Sequence, residues 1–106
     1  MGKWKNPTTQ NLLLAILALR TSNEAQRFFR DLLTEDELIE FGKRWEAAQL
    51  LNQGISYSKI VKKTGLSSTT VARVSKWLNQ GMNGYKLMIN RISHHHQTSP
   101  VRKGVV

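Results

Sequence analysis

The side chains best suited to chemistry in this sequence are the polar and basic residues that follow Gly65. Ser68 and Thr69 are short hydroxyl residues, and Arg73 carries a guanidinium long enough to reach a guanine edge or a phosphate group. On one helix, the small polar residues would let the backbone approach base edges closely, while the longer cation adds a directed contact. The chemistry predicted here is therefore non-covalent recognition of nucleic acid.

These residues lie in a stretch, residues 57–78, that has the pattern of a helix-turn-helix. Gly65 suits the turn, because glycine enters the left-handed conformation without a Cβ clash, and Ser67 suits the N-cap of the second helix. The inward positions of the two helices are apolar, as is Leu66 of the turn, which is expected to enter the core between them; the helix positions are Ile60, Val61, Val71, Val74 and Leu78. The outward positions of the second helix are Ser68, Thr69, Ala72, Arg73 and Lys76. A helical hairpin with a solvated polar face is the alternative, but the joint pattern favours DNA binding.

Charge is distributed unevenly along the 106 residues, which carry a formal net charge of +9. All seven acidic residues precede residue 47, whereas nine Lys and Arg residues follow it. The half that holds the helix-turn-helix pattern is therefore purely basic. A polyanionic partner fits this distribution, and nucleic acid is favoured over an anionic membrane because no basic amphipathic helix with aromatic anchors is present.

Several classes of protein are disfavoured by features that the sequence lacks. There is no cysteine, which excludes disulfides, thiol catalysis and cysteine-bound zinc. The apolar run at residues 12–19 is far shorter than the ~20 residues of a membrane span, and it lacks the cleavage site of a signal peptide. We expect a cytoplasmic protein that does not associate with membranes.

No catalytic motif is recognised, and we expect no enzymatic activity. The acidic residues at 35–37 are interpreted as charges that stabilise a helix N-terminus rather than as paired catalytic carboxylates, since no histidine lies nearby. His94, His95 and His96 could bind metal adventitiously, but consecutive histidines in an extended chain cannot all face one tetrahedral ion. We predict no metal site and no cofactor.

Capping residues predict where the other helices begin. The starts are marked by Asn6-Pro7, by the capping box of Thr21 and Glu24, and by the capping box of Thr34 and Glu37. The second and third helices are then predicted near residues 22–32 and 35–52. A last helix is predicted near residues 84–92, after a break that contains two glycines.

Residues 12–19 would be apolar on every side of the first helix, and such a helix cannot lie on the surface of a soluble monomer. We therefore expect a homodimer, in which a second subunit covers this helix. The predicted fold class is all-α with about six helices. Residues 1–92 are predicted to form the DNA-binding domain, with the helix-turn-helix at about 56–79, and residues 93–106 a basic, disordered tail.

Residues 33–78 (LTEDELIEFGKRWEAAQLLNQGISYSKIVKKTGLSSTTVARVSKWL) resemble the core of the Trp-repressor-like superfamily. The similarity extends to features of its YerC/YecD branch, which are an apolar N-terminal helix, an RFF-DLLT-like junction (residues 27–34) and an LNQGMNGY-like segment (residues 78–85). It covers roughly residues 10–92. The resemblance implies six helices, two subunits intertwined through their N-terminal helices, and paired helix-turn-helix units that read a palindromic operator.

The resemblance also implies which residues contact DNA. The turn and the first half of the second helix meet DNA in the family, and these positions are here Ser67, Ser68, Thr69, Thr70, Ala72 and Arg73. The part of the first helix that approaches phosphates corresponds to Ser56, Tyr57 and Ser58. The charge pattern adds Lys62, Lys63 and Lys76 as phosphate contacts.

This sequence departs from the family pattern at the ligand pocket. Trp repressors clamp tryptophan between two arginines, which correspond to Arg44 and Arg73, with polar contacts at the positions of Thr34 and Thr70. A glycine that leaves room for the indole is replaced here by Val74, and a small serine that helps to hold the ligand is replaced by Trp77. We therefore expect that free tryptophan does not bind, and any other co-effector is left unspecified.

These observations predict a dimeric, sequence-specific regulator of transcription that binds double-stranded DNA and represses by occupying a promoter. Ser68, Thr69 and Arg73 would read bases, while Ser56, Lys62, Lys63 and Lys76 would hold phosphates. Two alternatives remain open. One is a non-specific architectural protein that coats DNA, and the other is an accessory protein of the transcription machinery that uses the helix-turn-helix for protein docking.

Overall fold

The computed structural model describes residues 2–98 and, for side chains, residues 2–93. The described residues form six helices and no strand. The helices are α1 (Pro7–Leu17), α2 (Ser22–Leu32), α3 (Glu35–Asn52), α4 (Tyr57–Thr64), α5 (Ser68–Gln80) and α6 (Gly84–Thr98). The predicted all-α class is confirmed, and the predicted bounds of α2 and α3 agree with those observed.

The chain divides into two compact units, Met1–Glu35 and Asp36–Val106, which we call unit 1 and unit 2. Unit 1 contains α1 and α2. Unit 2 contains α4, α5, α6 and all of α3 except its first residue. The predicted helix-turn-helix is α4 and α5, and it lies entirely in unit 2.

Side-chain caps begin both helices of unit 1, as the sequence predicts. The Thr9 N–H donates to Asn6 Oδ1 (2.8 Å), and Pro7 occupies the first helical position, where its missing N–H leaves no partner unsatisfied. The Glu24 N–H donates to Thr21 Oγ1 (3.1 Å) at the start of α2. The Glu24 carboxylate accepts from the N–H of Arg20 (2.9 Å), so the predicted capping box closes one residue earlier than the standard pattern.

Neither helix of unit 1 buries a side chain. α1 has no buried residue, and its Leu14 and Leu17 are 56% and 80% exposed. α2 also has none, although Phe28 and Phe29 pack edge to face with their ring centroids 5.5 Å apart. Unit 1 therefore presents a large apolar surface that its own residues do not cover.

Unit 2 has a packed core that is built from three helices and the turn. Ala47 and Ala48 of α3, Ile60 of α4 and Val71 of α5 are fully buried. The two alanines let the helix backbones approach closely, and Leu66 from the turn fills the same cluster. Burial of each large aliphatic side chain stabilises a fold by about 1.5–3 kcal/mol, so this small cluster fixes the relative position of α4 and α5.

The last helix is longer than the sequence predicts. The expected end near residue 92 is wrong, because α6 continues to Thr98. Residues 93–98, which were expected to belong to a disordered tail, contain neither glycine nor proline and so do not interrupt a helix that has already started. Residues 99–106 and the side chains of His94, His95 and His96 lie outside the described part of the chain.

Candidate nucleic-acid interface

The turn between α4 and α5 is held by two residues with different roles. Gly65 has φ of 78°, in the left-handed region, and its N–H donates to the carbonyl of Val61 (2.9 Å). The hydroxyl of buried Thr64 donates to the Ile60 carbonyl (2.7 Å) and accepts from the N–H of Leu66 (3.1 Å). Since the buried hydroxyl of Thr64 bonds both to α4 and to the turn, it ties the end of α4 to the start of the turn.

The first turn of α5 is fixed by hydroxyl groups. Ser67 Oγ accepts from the Thr70 N–H (3.1 Å) as an N-cap and also donates to the Thr70 hydroxyl (3.0 Å). Thr70 is accordingly half-buried, whereas Ser67, Ser68 and Thr69 are exposed. The cap therefore orders the backbone at the end of the helix that is predicted to enter a major groove.

The two faces of α5 differ as the sequence predicts. Val71, Val74 and Leu78 are buried and point into unit 2. The opposite face consists of exposed residues, which are Ser68, Thr69, Ala72, Arg73 and Lys76. The exposed face combines short side chains near the helix start with two cations further along, an arrangement that suits contact with base edges and phosphates.

α4 supplies a second set of exposed polar groups. Ser56 caps this helix by accepting from the Lys59 N–H (3.4 Å), and its hydroxyl lies 3.4 Å from that of Ser58. Tyr57 is exposed beside them. At the other end of the helix, Lys62 and Lys63 are exposed in the last turn, where the helix dipole favours cations.

One basic residue at this surface was missed by the sequence analysis. A Cβ built on Gly65 would lie 3.7 Å from Nζ of Lys43, so the ammonium of this α3 residue lies beside the turn of the helix-turn-helix. The contact joins residues that are far apart in sequence. The pattern of α3 predicts only that the helix packs against α4 and α5, and it does not indicate which of its polar residues reaches the turn.

Three of the four residues that correspond to the tryptophan pocket lie in unit 2 and make local contacts there. Arg44 pairs with Glu40 (3.3 Å) and lies 5.6 Å from the ring centroid of Phe41, both on its own helix. Thr70 is engaged by Ser67, and Arg73 is exposed on the outward face of α5. Thr34 belongs to unit 1 and is exposed there.

The two bulky residues at the predicted pocket have different environments. Val74 is 3% exposed and belongs to the core cluster of unit 2. Trp77 is 50% exposed, and the ammonium of Lys76 lies 5.3 Å from its ring centroid. Val74 is thus a core residue and the Trp77 indole lies at the surface, and the expectation that these two residues exclude free tryptophan stays a prediction.

Trp77 lines an open apolar cleft of about 600 Å³ in unit 2. Trp45 and Tyr85 form part of its wall and stack with their ring centroids 6.3 Å apart. Met82 and Met88 complete the apolar lining. Tyr85 also packs against the core cluster, whereas Met88 is exposed.

A capped recognition helix on a small helical core, with a basic outward face, defines the class of helix-turn-helix proteins. The family model described as Trp repressor protein matches residues 8–93, and the chain belongs to this family. Membership of the family places the chain among DNA-binding regulators. No helix within the described residues is long and apolar enough to cross a membrane.

Three relatives support this assignment. The uncharacterized protein YerC of Bacillus subtilis (strain 168) is 36% identical over 92 residues, which cover 87% of this chain and 88% of YerC. The crystal structure of a TrpR like protein from Eubacterium eligens ATCC 27750 matches with a TM-score of 0.83 and 36% identity, over 86% of this chain and 94% of that one. A structure from Staphylococcus aureus has a TM-score of 0.82 and 31% identity, over 86% and 91% of the two chains. The predicted similarity to the YerC branch is confirmed.

Proposed function

We infer that the chain is a homodimeric transcription regulator that reads a palindromic operator in double-stranded DNA and represses by occupying a promoter. The observation that carries this proposal is the outward face of α5. Short exposed residues stand at its start and Arg73 stands further along, while the opposite face is anchored in the core. Since its relatives are bacterial proteins, the cytoplasm that contains the chromosome is the proposed place of action.

The exposed residues divide into two proposed roles. Ser68, Thr69 and Arg73 read base edges in the major groove, because they lie on the face of α5 that is directed away from the core. Contacts to phosphates set the register of the protein on the duplex and come from the residues around this face. These are Ser56, Tyr57, Ser58, Lys62, Lys63 and Lys76, together with Lys43 beside the turn.

Dimerisation is supported by the surface of unit 1. Leu14 and Leu17 are exposed on α1, and a soluble protein covers such a surface with a partner or another element. A two-fold axis would relate the two recognition helices and present them to major grooves about 34 Å apart. The operator is accordingly proposed to be a palindrome with half-sites separated by one helical turn.

We propose further that DNA binding does not require free tryptophan. Val74 fills the position at which space would be needed, and Arg44 is already paired with Glu40. Isothermal titration calorimetry with L-tryptophan should show no binding up to millimolar concentration. Micromolar binding would contradict the proposal, and the Val74→Gly variant with Trp77→Ser tests whether removing the two bulky residues creates a site.

Selection from a random duplex library at physiological salt tests the main proposal. The expected result is enrichment of a palindrome by the wild-type protein. Arg73→Ala should then cost about 1–3 kcal/mol on the enriched site and relax preference at one base position. Arg73→Lys is the matched control, because lysine keeps the charge but cannot make the bidentate contact to guanine. If lysine restores full affinity and preference, Arg73 contacts a phosphate instead.

A non-specific architectural role is the second candidate, and the acid-free basic half of the chain favours it. In that case the library would be retained without enrichment, and Arg73→Ala would weaken binding equally on all sequences. Affinity would also fall steeply with salt, since backbone contacts account for all of it. Enrichment of any palindrome excludes this candidate.

A further inference from the structure

A basic turn precedes the first helix and has no role in the function proposed so far. It comprises residues 2–6, which we call the N-terminal turn, and it contains Lys3, Trp4 and Lys5. All of its residues are exposed, and Trp4 is 48% exposed. The first acidic residue of the chain is Glu24, so no negative side chain neighbours these lysines along the sequence.

The N-terminal turn is folded rather than extended. The Lys5 N–H donates to the Gly2 carbonyl (3.3 Å), and the Asn6 N–H donates to the Trp4 carbonyl (3.0 Å). The Asn6 side chain joins this turn to α1, because its Nδ2 donates to the Lys3 carbonyl (2.8 Å) while its Oδ1 caps the helix. A surface that is ordered before binding pays less conformational entropy when it meets a partner.

The indole of Trp4 is held in a defined place. A Cβ built on Gly2 would lie 2.5 Å from its Cδ1 and 2.7 Å from its Nε1, so the ring rests against the backbone of Gly2. Nζ of Lys5 lies 5.6 Å from the ring centroid. The indole and a cation are therefore presented side by side at the surface.

Positive potential accumulates here without compensation. The start of α1 has no acidic residue in its first turn, whereas α2 has Glu24 in its first turn. Lys3 and Lys5 lie immediately before the positive end of the α1 dipole, where a cation is unfavourable in isolation. An anionic partner relieves this repulsion, and the adjoining cleft of about 710 Å³ adds the side-chain amides of Gln10 and Asn11 as hydrogen-bond donors.

We propose that the N-terminal turn is a second DNA contact, which binds the sugar–phosphate backbone without reading sequence. Lys3 and Lys5 pair with phosphates, and the Trp4 indole packs against the sugar edge between them. Paired cations, amide donors and an exposed ring match the alternation of charged and apolar groups along a nucleic-acid strand. The inference rests on the proposed DNA-binding function, and it adds a contact that lies outside the helix-turn-helix.

The test is the salt dependence of binding to a labelled 30-base-pair duplex, measured by fluorescence anisotropy with the full chain. Lys3→Gln with Lys5→Gln should reduce the slope of log K against log salt by about 0.9 for each lost phosphate contact, or roughly two per subunit. Lys3→Arg with Lys5→Arg keeps the charges and should keep the slope. Gly2→Ala displaces the indole while both lysines remain, and it should weaken binding with little change in slope.

The outcomes separate this inference from the proposed function. If the wild type enriches a palindrome but the Gln variant keeps the wild-type slope, the proposed N-terminal contact is wrong, and the proposed operator-reading function is retained. If the wild type binds without preference and the Gln variant loses slope, the contact stands and operator reading fails. Binding to anionic vesicles of phosphatidylglycerol tests the other possible partner of the turn. If vesicle binding depends on Lys3 and Lys5 while the salt slope of DNA binding is the same in the Gln variant and the wild type, the turn contacts a membrane surface instead.

Discussion

The two units of this chain contain similar proportions of apolar residues but bury them to very different extents. In unit 1, α1 and α2 bury no residue, although α1 consists largely of leucine and other aliphatic side chains. In unit 2, Ile60 and Val71 are fully buried within a cluster to which α3, α4 and α5 contribute. The unit that carries the recognition helix thus supplies its own core, whereas unit 1 leaves its apolar surface uncovered.

The difference follows from how apolar residues are spaced. α5 repeats them at intervals of three and four, so Val71, Val74 and Leu78 form one stripe and the other face stays polar. α1 has apolar residues on all sides from residue 12 onward, and no single neighbouring helix can cover them. A helix of this second kind requires enclosure by several elements, which supports the proposal that a second subunit surrounds it.

The transition between the two patterns occurs within α3. Ala47 and Ala48, in its C-terminal half, are fully buried in unit 2. Ile39 and Phe41, in its N-terminal half, are about half exposed. The N-terminal half of α3 therefore resembles unit 1 in its uncovered apolar surface, and the proposed dimer would also cover this half.

The largest effect is expected from charges placed on the apolar surface of unit 1. Leu14→Asp with Leu17→Asp should convert a dimer of two 12.1 kDa chains into monomers, because burying unpaired carboxylates costs several kcal/mol each. Sedimentation equilibrium measures the mass directly. Thr8→Asp with Gln10→Asp adds the same charge at exposed polar positions of α1 and should leave the dimer intact. A double-leucine variant that remains dimeric would show that α1 does not form the interface.

The second largest effect is expected from a substitution in the core of unit 2. Ile60→Ala should lower the free energy of unfolding by about 2–5 kcal/mol, since it empties a fully buried position between α3 and α5. Urea denaturation followed by circular dichroism gives this value. Ile60→Leu preserves the volume and should cost less than about 1.5 kcal/mol. A loss below 0.5 kcal/mol for the alanine variant, roughly the scatter of surface substitutions, would mean that unit 2 does not depend on this core.

Much of the fold was predictable from the sequence because its signals are local. Thr21, Ser67 and Gly65 act on backbone groups within three or four residues, so their types reveal where helices begin and end. The two faces of α5 could also be predicted from the sequence, since periodicity assigns Val71 and Arg73 to opposite sides. These local rules gave the class, most helix bounds and the exposed recognition surface.

The remaining features depend on long-range contacts or on weak local signals. Lys43 reaches the turn only through the packing of α3, and none of its neighbours in sequence predicts this contact. The extension of α6 to Thr98 is not predicted by the polarity of residues 93–98, because polar residues without glycine or proline do not by themselves end a helix. The residues that meet α1 are a different case, since a partner subunit would supply them.

A smaller effect is expected at the turn of the helix-turn-helix. Gly65→Ala should cost about 1–2 kcal/mol of stability, because its φ of 78° is unfavourable for residues with a Cβ. Space is not the limitation, as the added Cβ would be in ordinary contact with Lys43. Gly65→Asn is the matched variant and should cost less, since asparagine tolerates this conformation better. Equal losses in thermal denaturation would instead indicate a steric cause.

The smallest effect distinguishes the two caps of the DNA-binding helices. Ser67→Ala should cost about 1 kcal/mol, because it removes a 3.1 Å bond from the Thr70 N–H and a second bond to the Thr70 hydroxyl. Ser56→Ala should cost no more than about 0.5 kcal/mol, at the low end for caps, since its bond to the Lys59 N–H is long at 3.4 Å. Urea denaturation of both variants measures the two losses. Because both serines are also proposed DNA contacts, affinities should be compared at a temperature where each variant is fully folded. A larger loss for Ser56→Ala would show that α4, rather than α5, relies more on its cap for the geometry of the recognition surface.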